Sequence, residues 1–154
     1  MALFIPGKTQ CSICQLPVDT GDARQFPPFV PNELDELYLF HDAVVHASCF
    51  SRHPLSPEVE ERLTELRTLR KECAVCFQPI DHPDEFFTLG HLVADRQHPL
   101  YRYNYLCFHK HHLIEWEALD LVYTQLVELK ASGKVRGQAY DILILYLDVD
   151  RHLK

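Results

Sequence analysis

Eight residues stand at metal-ligand spacing in two sets: Cys11-x2-Cys14 with His46-x2-Cys49, and Cys73-x2-Cys76 with His109-x2-His112. Thirty-one residues separate the two pairs of the first set and thirty-two those of the second. Thiolate and imidazole donors in pairs three positions apart are what a tetrahedral Zn2+ takes from a polypeptide. The spacing therefore predicts two structural Zn2+ ions per chain.

Competing uses of a Cys-x2-Cys pair fit less well. Six cysteines suit a disulfide framework in a secreted chain, yet the opening Met1-Ala2-Leu3-Phe4-Ile5-Pro6 carries neither a charged head nor a long apolar segment. A cytoplasmic, reducing setting is expected. A redox pair would sit between a buried strand and a helix, whereas Cys14 and Cys76 are each followed at the third position by proline, Pro17 and Pro79, as suits a knuckle turn.

The two sets belong to a longer repeat. Cys11, Cys14, Pro17, Val18, Asp19 and Asp22 recur sixty-two positions on as Cys73, Cys76, Pro79, Ile80, Asp81 and Asp84. A fixed internal offset marks repeated supersecondary units, here residues 1–71 and 72–154, the second with a helical extension at its C-terminal end. With 154 residues and 47 % apolar content, two small metal-braced cores are expected rather than one large one.

The elements that must position these donors follow from local patterns. Phe26-Pro27-Pro28-Phe29-Val30-Pro31 cannot be a central strand or helix interior and reads as a surface loop. Residues 37–46 alternate and end on His46, which predicts a strand delivering that ligand. Ser56-Pro57-Glu58 predicts a helix with Ser56 as N-cap and Val59, Leu63, Leu66 and Leu69 as its apolar stripe. Residues 113–130 read as a second helix closed by Ser132-Gly133, and 138–153 as a third, chosen over a strand on length. Tyr101, Tyr103 and Tyr105 alternate as one face of a strand would. The fold class is thus α+β: two tandem zinc modules, each with a short hairpin and a helix, packed through longer helices.

Charge bounds the partners. The formal net charge is −7, and three thiolates on one Zn2+ leave the first site at about −1. Polyanion-tracking proteins need clustered Lys and Arg; Arg67, Arg70 and Lys71 are better explained as complements to a helix C-terminus. Nucleic acid is disfavoured, no membrane-spanning run exists, and a basic protein partner is expected.

A Cys knuckle, a hairpin and a helix carrying the last ligand resemble treble-clef zinc fingers, and Val45-His46-Ala47-Ser48-Cys49-Phe50 resembles the centre of the first zinc site of a LIM domain. The resemblance covers one site per module; LIM domains continue with two further cysteine ligands, and Ser51 to Leu55 supply none. It implies the treble-clef fold and a role in partner binding, as an adaptor, a regulator or an inhibitor of the immunity type. Around the second site the ligands could also be Cys107 and His111, one helical turn apart. Under that alignment Gly90-His91-Leu92-Val93, Asn104-Tyr105-Leu106-Cys107 and His111-His112 resemble an HNH endonuclease. The resemblance implies His91 as general base, Asn104 as the residue orienting the hairpin, and His112 as a ligand of a catalytic divalent metal. Gly90 stands where that family carries an acidic ligand.

Overall fold

In the computed structural model, which describes residues 3–153, each half of the chain begins by turning tightly around its Cys-x2-Cys pair. The N–H of Cys11 donates to the Leu16 carbonyl at 2.9 Å and that of Gln15 to the Cys11 carbonyl at 2.8 Å. Cys73 donates to Gln78 and Phe77 to Cys73 in the same pattern, both at 2.9 Å. The reversal needs one residue in the left-handed region, and Gln15 (φ 62°) and Phe77 (φ 58°) take it without a glycine.

A one-turn 3-10 segment then leads into a two-stranded hairpin. Thr20–Asp22 precedes β1 (Ala23–Gln25), which pairs antiparallel with β2 (Val44–His46); Pro83–Glu85 precedes β3 (Phe86–Thr88), which pairs antiparallel with β4 (Cys107–His109). Ala23 lies opposite His46 and Phe86 opposite His109, so the offset between modules is sixty-three here, against sixty-two at the knuckles. The extra residue lies between Ile80 and Phe86. In consequence the structural counterpart of Asp22 is Glu85, not Asp84.

The strand expected over 37–46 is only Val44–His46. Glu36–Phe40 is a 3-10 turn opened by Asp35, whose carboxylate accepts from the Leu37 N–H at 2.9 Å. Its buried residues are Leu37 and Phe40, which eclipse at i and i+3. The proline-rich stretch is irregular but is not a surface loop: Phe26, Phe29 and Val30 are core residues, packed with Phe40 and Phe50. Phe26 meets the Phe50 ring at 5.0 Å and the Phe40 ring at 5.6 Å between centroids. Three-residue strands cannot furnish a core, so loop side chains complete it.

Cys49 rides on α1 (Ala47–Ser51), and α2 (Ser56–Arg67) follows. Leu55, not Ser56, occupies the N-cap position of α2; the Ser56 hydroxyl instead donates to the His53 carbonyl at 2.8 Å and to the Phe50 carbonyl. Val59 and Leu63 bury the inner face of the helix, joined by Leu66.

After β4 the chain makes a 3-10 segment, Lys110–Glu115, that carries His112. The helix expected from residue 113 is interrupted at Trp116, which is extended (ψ 123°), so α3 is Leu119–Ala131 and α4 is Gln138–Arg151. Gly133 (φ 69°) ends α3, with its N–H on the Lys130 carbonyl at 3.0 Å and that of Lys134 on Leu129 at 2.9 Å. The tyrosine alternation is not a strand: Tyr101–Tyr103 is a 3-10 turn and Tyr105 has φ 61°. Leu92, Phe108, Leu113, Val122, Leu126 and Leu147 are fully buried in this second core.

The chain is α+β and divides into two units, Met1–Val30 with Asp35–Thr68, and Pro31–Leu34 with Leu69–Lys154. Within the second unit the Asn32 side-chain carbonyl accepts from the Arg136 N–H at 3.0 Å, and Glu33 donates its N–H to the Arg136 carbonyl at 2.8 Å. Gly137 (φ 133°) follows, where a Cβ would stand 2.6 Å from the Pro31 carbonyl oxygen. Among the described residues no helix is long and apolar enough to cross a membrane.

Candidate metal centres

The knuckle and hairpin of the first unit converge on one point. Cys11 and Cys14 come from the knuckle, His46 from the end of β2 and Cys49 from α1, and their donor atoms all lie within 4.8 Å of one another. Zn–S near 2.3 Å and Zn–N near 2.0–2.1 Å at tetrahedral angles set sulfur and nitrogen on one ion about 3.6 Å apart. His46 Nδ1 stands 3.4 Å from Cys14 Sγ and 3.7 Å from Cys49 Sγ. Its other nitrogen, Nε2, is 3.0 Å from the Pro17 carbonyl oxygen. A carbonyl only accepts, so Nε2 carries the proton and Nδ1 is left with a free lone pair.

The second unit repeats the arrangement with Cys73, Cys76, His109 and His112, again within 4.8 Å. Cys73 Sγ lies 3.5 Å from His112 Nδ1 and Cys76 Sγ 3.5 Å from His109 Nδ1. The backbone locks knuckle to hairpin identically in both units, since the N–H of His46 points at Cys11 Sγ and that of His109 at Cys73 Sγ, each at 3.4 Å. None of the six cysteines is in a disulfide. The two clusters fit two structural zinc ions in donor type, number and spacing.

The alternative donors are placed differently. Cys107 is buried on β4, its thiol donating to the Tyr105 carbonyl at 3.3 Å, and it packs with Cys73 and Ile80 outside the donor set. Burial pushes this thiol above its ordinary value. His111 is exposed, its ring 4.1 Å from that of His112 and 5.6 Å from that of His109.

Electrostatics distinguish the thiols. Burial pushes Cys11 up, but the N–H groups of Cys14, His46 and Ile13 outweigh it and bring it down to about 6. Cys73, likewise buried, is brought down to about 5 by the N–H groups of Cys76, Val75 and His109 and by the His112 ring. Cys49 is pushed up to about 11 by burial, by its hydrogen bond to Cys14 and by the negative charge on Cys11. Each knuckle thus solvates one thiolate in advance of any metal.

One positioning residue lies outside the ligand pattern. Asp22 accepts from the Ser48 N–H at 3.1 Å and from its hydroxyl at 2.7 Å, which anchors the first turn of α1 beside Cys49. Those two bonds hold its carboxyl below the usual range. Asp22 stands out in the sequence only as a member of the repeat.

Of the three residues implied by the nuclease resemblance, His112 lies in the second cluster. His91 is 5 % exposed, its ring 5.7 Å from that of Tyr105. Asn104 ties down the chain after His91: its carbonyl accepts from Leu92 and Val93 at 2.8 and 3.2 Å, and its amide donates to the Val93 carbonyl at 2.8 Å. Compared with protein families, with curated proteins and with solved structures, the chain matches none of them.

Proposed function

We propose that the chain is a zinc-stabilised protein-interaction module, built of two tandem treble-clef-like units, whose partner is a basic protein. Cys11, Cys14, His46 and Cys49 hold one ion, and Cys73, Cys76, His109 and His112 the other. The observation that carries this assignment is the completeness of each donor set: four protein donors fill a tetrahedral zinc and leave no position for water or substrate, the structural form of such a site. Zinc bound there ties knuckle, hairpin and helix together where three-residue strands alone would not. The thiolates require a reducing compartment, for which the cytoplasm is the natural candidate.

With a net charge of −7 the surface attracts cationic partners and repels polyanions. An inhibitor or immunity-type factor that covers a basic enzyme, an adaptor and a regulator all meet that description. The HNH-like alternative has one observation in its favour, the fixing of the loop after His91 by Asn104. It also needs His112 free for a second, catalytic metal, and His112 Nδ1 is 3.5 Å from Cys73 Sγ.

Cleavage assays separate the two. With plasmid or single-stranded DNA and Mg2+, Mn2+ or Ni2+, the purified protein is expected to show no nicking above a His91→Ala control. Metal-dependent nicking that disappears in both His91→Ala and His112→Ala would overturn the assignment, because a binding module gives those residues no shared task.

A further inference from the structure

α4 is apolar on two opposite faces. Tyr140, Leu143, Ile144 and Leu147 turn to the core of the second unit. At 100° per residue, the opposite face is centred on Ile142, Leu145 and Val149, which span an arc of only about 60°. These are 58, 66 and 55 % exposed, and Leu153, continuing the row past the helix end, is 67 % exposed. Exposed aliphatic residues scattered singly need no explanation, but four in one row, on the order of 400 Å² of apolar surface, form a patch of the size that often marks a contact site.

Charge decides what covers it. Asp141 and Asp148 run along one edge of the row and Asp150 lies toward the other. The only basic residue of α4, Arg151, lays its guanidinium 4.4 Å from the Tyr123 ring centroid on α3, with Asp120 at 3.4 Å and Asp148 at 3.8 Å. A second copy docked on this face about a two-fold axis would bring together two net-acidic surfaces, because Lys130 and Arg151 are the cations set against the carboxylates of Asp120, Asp141, Asp148 and Asp150. A helix from another protein with Lys or Arg beside its apolar row meets the same edges with attraction. Asp141 contacts Lys130, and Asp148 contacts Arg151 at 3.8 Å and His152 at 3.6 Å. Those are exposed ion pairs of little net worth, so they exchange partners readily.

We propose, resting on the basic-partner assignment, that the outer face of α4 is the docking site of an amphipathic helix whose apolar row is flanked by Lys or Arg. Ile142, Leu145 and Val149 supply the ridge that packs against it, and Asp141 and Asp148 set its charge preference.

The test uses the zinc-loaded full chain and two labelled helical peptides of about 18 residues, both with Leu at the row positions, one with Lys on the flanks and the other with Glu. The chain is expected to sediment as a monomer and to bind the Lys peptide saturably, one to one. Ile142→Gln with Leu145→Gln should weaken that binding at least about tenfold, Leu3→Gln should leave it unchanged, and the Glu peptide should bind at least about tenfold more weakly. A dimer dissolved by the double substitution would make a second copy the occupant and overturn the proposal. Lys-peptide binding that the double substitution leaves intact would remove α4 as the site while keeping the basic partner. Equal binding of both peptides, lost in the double variant, would keep the face and remove the basic partner. Failure of both peptides to bind would remove the proposal altogether.

Discussion

Cys107→Val and His109→Ala, made separately, distinguish a thiol that packs from an imidazole that ligates. Cys107 is 2 % exposed, and its counterpart in the first hairpin is Val44, at the same register position. Valine keeps its apolar character and adds about one methyl group, so the change should cost on the order of 1–3 kcal/mol while removing no donor from the cluster. His109 is different, because its Nδ1 lies 3.5 Å from Cys76 Sγ inside the donor cluster. Structural zinc binds such sites with about 10–16 kcal/mol, and an even share among four donors is roughly 2.5–4 kcal/mol. That is a loss of roughly 10²- to 10³-fold in affinity, enough for a modest chelator to strip the second site. The assay is zinc per chain by native mass spectrometry, with a titration against a chromophoric chelator. Wild type and Cys107→Val should hold two ions, one per cluster, with the same chelator midpoint, and His109→Ala only one. Zinc lost from Cys107→Val and kept by His109→Ala would refute the assignment and select Cys107 with His111 as the ligands.

Cys14→Ala or Cys49→Ala should release one ion and unfold only the unit holding it, read as hydrogen-exchange protection lost across residues 3–30 and 35–68 and kept elsewhere; protection lost throughout would show the two units to be one cooperative body. Asp150→Asn should stabilise the protein near neutral pH. Burial holds the Asp150 carboxyl above its ordinary value, and its Oδ2 is buried without a hydrogen-bond partner. A raised folded pKa means that the group's contribution is complete below the unfolded value and is lost as pH rises through the folded one. The gain from Asn should thus be about 0.5–1 kcal/mol near pH 7 and be lost only as pH falls through the raised folded value to the ordinary 3.8; a carboxyl NMR titration that places the Asp150 value at or below the ordinary one would refute the electrostatic cause.

Spacing alone brings out the eight clustered donors, because a donor pair three positions apart can reach one ion from a turn or from a helix. Side-chain identity reports nothing about the Pro17 carbonyl that fixes the His46 tautomer, since any residue there would offer the same oxygen. The stretch 37–46 misleads because a 3-10 turn buries Leu37 and Phe40 at i and i+3, which in a short window passes for alternation. Proline correctly excludes regular structure over 26–31, but it says nothing about burial, and Phe26, Phe29 and Val30 are needed inside. Ser56 has the composition of a cap, yet nearby carbonyls of Phe50 and His53 take its hydroxyl. In 138–153 length decides rightly for a helix, while the apolar residues on both faces blur the usual amphipathic signal.

The two hairpins each span an excursion of eighteen residues, 26–43 and 89–106. Both leave and rejoin their strands at equivalent places, Gln25 opposite Val44 and Thr88 opposite Cys107. Their backbones correspond while their side chains differ: a 3-10 turn ends at Phe40 and at Tyr103, Asp42 (φ 47°) and Tyr105 (φ 61°) both donate their N–H back across the loop, to Pro27 and Gly90, and the N–H groups of Val30 and Val93 go to the side chains of His41 and Asn104. Hairpin and donor cluster therefore behave as a mount that prescribes the span and the turns of its insert and leaves the lettering of its exposed positions open. After duplication, such a mount lets the exposed positions of each insert drift, while the inward residues, Phe26 and Phe40 in one and Leu92 and Tyr103 in the other, stay tied into a core. The differences between the two halves that matter for what each recognises should accordingly be sought in the exposed positions of the inserts and in α3 and α4, which only the second half carries.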